Sequence, residues 1–600
     1  MQRIATTLAG ALLSTALAAP ALADHIAGNG ELKGTVTAPK AFTAAKVFAH
    51  KASTNITYMV FTQGGKYDVV NVMPGTYEVW AQTPDLLAQK KTIEVTADKT
   101  AAAEIAMSAV TPVPQAVGPY AFGKERQLVS YDKLYPPGPG RDILHDTCFV
   151  CHALNFLPAQ PQSREGWGAA VDYMTTSPRW GIKENTPFLS TERLTPEKRE
   201  ILLDYLGKYL GPDQPVRAVL HEEDEPRDEA VLGKAQYIMY ELADTPDMQK
   251  RLTQETTFDS KGNVWVTEPR AVSAMTLLDP RTGKATVYKT PNVIWAPHGA
   301  AIDTDDTVWF GGLKAGLVHL DPKTGNWDTY GKTAETHKDS GGLSPFWDSK
   351  GNAYWTDIRF NRIGRLDRKT LTWKYYNTVS SLGSPYGILV DRKDKVWFAE
   401  FHGCAIVKFD PETETMQKYP SPSTPCLIRR PGLDSKGNIW YGAYDRGRIE
   451  KLDPNTGKIT QFQIPVKFAT PYDTWVDPND NVWSSSDNYF VKLEPATGKM
   501  SYYPTPQQTD EPKITITREG AIWYTARSAR PASTAVLYPD KAKMKTFGAY
   551  FSMNDPNANI YKYKGPAIKV TGKDNNGGPG PRPKKPGEDG SNPNLGAAVD

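Results

Sequence analysis

Cys148-Phe149-Val150-Cys151-His152 is the stretch whose residue types and spacing point most directly at chemistry. Two thiols lie two residues apart on one turn, and a histidine follows at once. This C-x-x-C-H pattern attaches c-type haem: each thiol forms a thioether with a vinyl group, and the histidine binds iron from one side. Half of a zinc site would look similar, but it requires a second ligand pair close by, and none follows. Met174, 22 residues beyond His152, is the only methionine before the segment ends near residue 213, so it is the expected ligand on the opposite face. His145, three residues before Cys148, is too close to reach that face, and His221 would require the following linker to fold back. A thioether ligand raises the potential relative to two histidines.

The N-terminus fits this chemistry, because c-type haem is attached outside the cytoplasm. Arg3, an apolar run over residues 4–19 and Ala21-Leu22-Ala23 predict a secretory signal over 1–23, cleaved near Ala23, and a periplasmic mature chain. The run is too short for a membrane span, and no later stretch reaches the ~20 apolar residues one needs. Of four cysteines, haem takes two; in an oxidising compartment the remaining pair, Cys404 and Cys426, is expected as a disulfide. Net charge is only +3, and no basic run with interleaved aromatics points to nucleic acid.

The elements that would position these groups divide the chain into three domains and a tail. Residues 24–112 alternate apolar and polar side chains between Gly and Pro turns, the pattern of a small β-sandwich. Its segment 65–77 resembles the carboxypeptidase-regulatory-like family, whose modules are spacers or docking surfaces. After a Pro-rich joint, residues 140–213 read as helical. Thr195 and Pro196 stand at N-cap and N1 of an amphipathic helix, and Tyr205-Leu206-Gly207-Lys208-Tyr209-Leu210 resembles the last helix of small cytochromes c. Met174 closes a W-x-x-x-V-x-x-M pattern with Trp167 and Val171, similar to that of haem domains in some multidomain dehydrogenases.

Residues 245–550 repeat. Turn cores begin at Asp259, Asp303, Asp348, Asp391, Asp434, Asp477 and Thr517, at spacings of 44, 45, 43, 43, 43 and 40. A period of 40–45 with about four strands per unit predicts a β-propeller, here of seven blades. The tail 574–600, rich in Pro, Gly, Asn and Lys, is expected to be disordered. The fold class is therefore multidomain and mainly β: a β-sandwich, a small helical cytochrome c domain and a seven-bladed propeller.

The repeat D-x-x-G-N-x-W-[FVY]-x-[ED], followed by I-x-x-[LF]-D-P-x-T-G-K, resembles the virginiamycin B lyase (streptogramin lyase) family over residues 250 to 550, and gluconolactonase-like propellers more weakly. The resemblance implies an acid–base pair, a rim histidine with a glutamate fourteen residues later in the same blade. Here His298 is followed at that offset by Gly312, and Glu400 has Tyr386 as its rim partner, so the pair is split between blades.

Five residues before each turn aspartate, at the channel rim, stand His298, Leu343, Tyr386, Arg429 and Tyr472. The loops after the Trp strands add Glu268, Arg270, Lys314, Asp357, Arg359, Glu400, His402, Tyr444, Asp445, Asp487 and Arg527. His298, Tyr386, Glu400, His402 and Arg429 form the candidate site, suited to acid–base work or to one additional divalent metal. His319 and His337 fall on an outer strand and a blade loop. No G-x-G-x-x-G argues for a nucleotide. The leading expectation is a periplasmic protein with one covalent haem c that couples oxidation of a small molecule, or docking of a partner dehydrogenase, to electron transfer, with a soluble acceptor such as another cytochrome c. The alternatives are a C–O lyase with an accessory haem and a non-catalytic electron relay.

Purified protein should stay positive for haem on a denaturing gel. Its oxidised form should show the weak far-red band of methionine-ligated iron, and Met174→Ala should abolish that band and lower the potential. An unchanged spectrum and potential would remove Met174 from the iron.

Overall fold

The computed structural model describes residues 26–110, 127–149, 154, 157–176, 194–219, 226–246, 248, 251–269, 272–313, 315–331, 342–381, 383–424, 426–466, 469–486, 488–507, 513–527 and 531–573. Cys151, His152, the signal over 1–23, the tail 574–600, and Arg270, Lys314, His221, His337 and Asp487 lie outside them.

Six four-stranded antiparallel sheets follow one another over residues 256–289, 297–330, 346–377, 385–420, 428–463 and 474–504. Their first strands pack against each other around a common axis. The turn aspartate that defines each repeat has a specific task. In Asp259, Asp348, Asp391, Asp434 and Asp477 one oxygen accepts the backbone N–H groups two and four residues on, at 2.8–3.0 Å. In Asp391, Asp434 and Asp477 the second oxygen accepts the indole N–H six residues on, from Trp397 (2.8 Å), Trp440 and Trp483 (3.0 Å each), and in Asp348 it accepts from the Tyr354 hydroxyl. One carboxylate thus closes the turn and pins the buried tryptophan of the returning strand.

The turns alternate in a way the repeat pattern conceals. Three residues after the turn aspartate the backbone has positive φ, supplied by Gly262, Gly351 and Gly437 in odd blades and by Asp306, Asp394 and Asp480 in even ones. Each of these left-handed aspartates reaches back to the preceding blade. It accepts the backbone N–H of Ser260, Ser349 or Ser435 at 2.8–2.9 Å and that serine's hydroxyl with its other oxygen. Blades are therefore locked in pairs.

The seventh repeat forms no separate four-stranded sheet. Its strands Ile514–Ile516, Ile522–Ala526 and Ser533–Tyr538 pair with Gln236–Glu241, which lies ahead of the first repeat, and that strand pairs in turn with Ile56–Phe61 of the N-terminal domain. One 13-stranded sheet results. Among the N-terminal strands Gly75–Gln82 alternates as its pattern predicts, with Tyr77, Val79 and Ala81 buried and the residues between them not, whereas Ile56–Phe61 is buried on both faces. Their core runs on without a break into Ile238, Tyr240, Trp523 and Val536.

Residues 541–573 form a strap across the end of the channel where the turns lie. It reaches Gly262 through Ala549, Val390 through Asn559, Arg368 through Pro566 and Asp328 through Thr571. Its own Phe547, Phe551, Ile560 and Ile568 are buried.

Between the N-terminal strands and the propeller the described residues are largely helical, with Pro139–Thr147, Arg164–Thr176 and Pro196–Tyr209 as the longer helices. The Thr195 hydroxyl caps the third by accepting from the Lys198 N–H. Gly140 lets two helices meet, since a Cβ there would fall 2.4 Å from Cβ of Tyr205. Parallel strands Gln127–Val129 and Arg217–Val219 join the segment's two ends. Among the described residues no helix is long and apolar enough to cross a membrane.

Cys404 and Cys426 form a disulfide across 22 residues, from just before the fourth sheet's third strand to just before the fifth sheet. Replacing both by alanine should lower stability by about 3 kcal/mol in a denaturant titration. Alkylation of the unfolded, unreduced protein should label neither residue; labelling of both would refute the bridge in solution.

Candidate functional site: the channel mouth

The inner strands begin at the mouth, and three begin with a shift in register, between Pro297 and Ala300, Pro385 and Ile388, and Ile428 and Pro431. Such a bulge turns consecutive side chains toward one side of the strand. Two neighbouring columns of the repeat supply the site, through these bulges on three strands and through residues standing just ahead of the strand at Glu255, Ser344, Asp473 and Lys513. The column five residues before the turn brings His298, Leu343, Tyr386, Arg429 and Tyr472 together, all buried. The hydroxyls of Tyr386 and Tyr472 are 2.5 Å apart. The Arg429 guanidinium is held among the rings of Tyr444 (4.4 Å), Tyr472 (4.5 Å), Phe401 (5.0 Å) and Tyr386 (5.7 Å), a cation–π setting.

Sequence reasoning missed the next column, four residues before the turn: Glu255, Gly299, Ser344, Gly387, Arg430, Asp473 and Lys513. Glu255 of the first sheet reaches across the axis to Arg430 of the fifth at 2.7 Å and accepts from the Ser344 hydroxyl at 2.9 Å. Lys513 lies 3.1 Å from Nε2 of His298. Asp473 accepts the N–H of Ile514 at 3.0 Å. Glycine at 299 and 387 makes room, since a Cβ at 299 would fall 1.9 Å from the Ser344 hydroxyl and one at 387 would crowd Arg430. The signal was available: a repeat column made of four charged residues, two glycines and a serine is unlike a packing position.

Burial disfavours the charge on Arg430, but Glu255 and Asp473 outweigh it and raise its pKa. Burial also pushes the Asp473 carboxyl up to about 6, against the pull of Arg430.

The second-strand carboxylates play a different part. Glu400 is fully buried, accepts from the Thr378 hydroxyl and from the Ser380 N–H (3.0 Å) and hydroxyl, and lies 3.5 Å from Lys418. Glu268 pairs with Arg251 at 2.6 Å, and Asp357 with Arg362 at 2.9 Å. These acids tie the end of a blade strand to its own loops, which accounts for the recurring [ED] without any chemistry. Glu400 is thus bound into its blade, apart from the hydrogen-bonded set that contains His298, and the grouping of all five candidates narrows to His298, Tyr386 and Arg429. His402 is partly exposed and packs edge-on to Phe401. Buried His319 stacks on Trp309 at 3.9 Å and serves the blade. Among the described residues no three His, Cys, Asp or Glu converge to hold a metal ion.

The helical segment meets this face. Arg446, in the turn Tyr444–Arg446, lies 3.4 Å from Asp146, two residues before Cys148. Cys148 ends helix Pro139–Thr147 and packs against an apolar cluster that includes Tyr135, Phe149, Leu157 and Trp167. Met174 is half-buried in Arg164–Thr176.

With this geometry in view, residues 239–489 and 371–534 match the model of the virginiamycin B lyase family. This part of the chain is a virginiamycin B lyase-like β-propeller. Among solved structures, the virginiamycin B lyase of Staphylococcus aureus is 21% identical, covers 50% of this chain with 99% of its own length, and has a TM-score of 0.45. A streptogramin B lyase is 20% identical over 51% of this chain and 97% of its own, with TM-score 0.45. The WD40 propeller domain of Doa1 is 10% identical over 49% and 95%, with TM-score 0.38. No curated protein matches.

The raised pKa of Asp473 gives a signed expectation. The native state holds this proton more tightly than the unfolded chain, so the contribution is complete below pH ~4 and is lost as pH rises through about 6. Stability of the wild type relative to Asp473→Asn should therefore fall across that window by roughly 3 kcal/mol. Parallel stability–pH curves for the two proteins would show that Asp473 does not titrate there.

Proposed function

We propose that this protein is an exported, periplasmic propeller carrying one covalent haem c, which exchanges electrons with a small molecule or a partner dehydrogenase held at the channel mouth. The observation that supports this reading best is the Asp146–Arg446 contact, which brings the helix leading into Cys148 beside the turn that carries Tyr444. The apolar cluster at Cys148 suits a porphyrin; Cys148 and Cys151 would hold it, and His152 and Met174 would ligate the iron. When bound, that group supplies one-electron exchange. The protein's own residues bind and orient at the mouth, where Arg429, Tyr386, Tyr472 and His298 present cation, phenol and imidazole. A further cytochrome c is the natural soluble acceptor. In this reading the seventh repeat, with Gln236–Glu241, counts as a seventh blade, the helical segment as a cytochrome c domain and the N-terminal strands as a carboxypeptidase-regulatory-like sandwich.

A second reading is favoured by the family match: a lyase-like propeller that cleaves a C–O bond, with the haem as accessory. Against it stand Gly312 at the implied glutamate position and the engagement of Glu400 within its own blade.

One set of variants separates the readings. His298→Ala or Arg429→Ala should leave haem content and chemical reducibility intact and abolish reduction by substrate or partner. Arg446→Glu should slow that reduction by about two- to fivefold, the scale of an exposed ion pair, and Asp146→Arg should restore it. Product formed without haem reduction would instead establish the lyase. If all four variants match wild type, the mouth is a solvated surface.

A further inference from the structure

The aspartate–serine contacts lock the first sheet to the second, the third to the fourth and the fifth to the sixth. The residue after the turn aspartate explains that division: it is Ser260, Ser349 and Ser435 in the odd sheets, but Thr304, Arg392 and Pro478 in the even ones. The junctions between the pairs are therefore held by other means, and at three of them the strap takes part. Between the second and third sheets, Arg368 of the third forms a buried ion pair with the turn aspartate of the second, Asp303, at 2.5 Å. From Nε and Nη2 it also donates to the carbonyl of Pro566 in the strap, at 3.3 and 3.2 Å, and its guanidinium lies 4.4 Å from the ring centre of Tyr563. Between the fourth and fifth sheets, Arg392 donates to the carbonyls of Asp434 (3.0 Å) and Ser435 (3.2 Å). Its other terminal nitrogen donates to the strap carbonyl of Asn554 at 3.3 Å. Between the seventh repeat and the first sheet the strap acts through its own backbone: the carbonyl of Tyr550 accepts from the Arg518 N–H at 2.8 Å, and the Ala549 N–H donates to Gly262 at 2.9 Å. The junction of the sixth sheet with the seventh repeat is tied at the mouth instead, where Asp473 accepts the Ile514 N–H.

We infer that residues 541–573 are a clasp that joins three separately locked blade pairs into one ring, with Arg368 and Arg392 as the points where it grips. A guanidinium carries donors on all three nitrogens and accepts nothing, so one side chain can hold two neighbouring sheets and a strap carbonyl at once. Blades of a propeller otherwise contact only their neighbours, and a segment that crosses several junctions is what makes their closure cooperative. When the clasp loosens, the ring gives first at the junctions it bridges and last within the pairs. The consequence reaches the mouth, because Glu255 of the first pair meets Arg430 of the third across the axis. The inference stands apart from whatever the mouth binds.

Hydrogen exchange of the full-length protein, read by mass spectrometry on peptic peptides, tests this order of opening. Arg392→Met should raise exchange of the strap over 549–560 by about tenfold, the scale of one lost charge-assisted bond. It should leave the locked turns 259–263, 348–352 and 434–438 as in wild type. Asp394→Gly removes the lock between the third and fourth sheets while keeping the left-handed turn that Gly351 and Gly437 make in odd sheets. It should do the reverse, with faster exchange at 348–352 and an unchanged strap. At the buried grip, Arg368→Lys keeps a cation beside Asp303 but loses the fork, and should loosen the strap over 563–571. Should Arg392→Met not fold, Arg368→Lys and Asp394→Gly decide by the same comparison. An arginine variant that leaves the strap unchanged, or that speeds exchange at every turn alike, overturns the clasp, and so does an Asp394→Gly protein whose strap is released.

Discussion

The acceptance of two backbone N–H groups and an indole N–H by one turn carboxylate is the constraint on which the rest of this propeller hangs. Where the turn is covered, as at the N–H groups of Asn352 and Asn438, leaving them unmet would cost about 1–3 kcal/mol each. Because the aspartate fixes the turn, it fixes the register of the inner strand against the Trp strand, and so decides which residues of each repeat stand at the opposite end. The mouth is built by counting back from the turn.

That dependence explains what could be read from the sequence and what could not. Six blades and the disulfide follow from local signals: aspartate, glycine and tryptophan at fixed offsets, and two cysteines outside the C-x-x-C-H motif. Helix capping by Thr195 was equally legible. The column containing Glu255, Arg430, Asp473 and Lys513 was not: Arg430 sits on a strand bulged at 428–431, and Glu255, Asp473 and Lys513 stand just ahead of their strands, where strict alternation does not say which way a side chain goes. Glu400 misled for the converse reason: its place in the repeat suggests a rim, while its hydrogen bonds belong to neighbouring loops. The pairing of blades through Asp306, Asp394 and Asp480 is visible in retrospect, as aspartate where odd repeats have glycine. The strap 541–573 carries no repeat and little periodicity, and only tertiary contact reveals it.

Electrostatics divides the channel mouth into two layers with different duties. The layer with Glu255, Arg430 and Ser344 is internally paired, as buried charge has to be, since an ion without a partner there would cost several kcal/mol. The layer with Arg429, Tyr386 and Tyr472 is aromatic, and it clothes a guanidinium with ring faces. A rigid ionic floor beneath an aromatic collar is a sound foundation for a binding site, because the floor keeps the collar residues in place whether or not anything is bound.

The strand Gln236–Glu241 has a consequence for how the molecule is made. It pairs on one side with Ile56–Phe61 and on the other with Ser533–Tyr538, close to 300 residues downstream. The first pairing can form early, but the ring cannot close until nearly the whole chain has been released. Contacts of such sequence separation form slowly, because loop-closure entropy is spent before the contact returns anything. During that interval Gln236–Glu241 shows a bare backbone edge, a template for wrong partners. The N-terminal domain halves that exposure by covering the other edge, which makes it a built-in chaperone for ring closure.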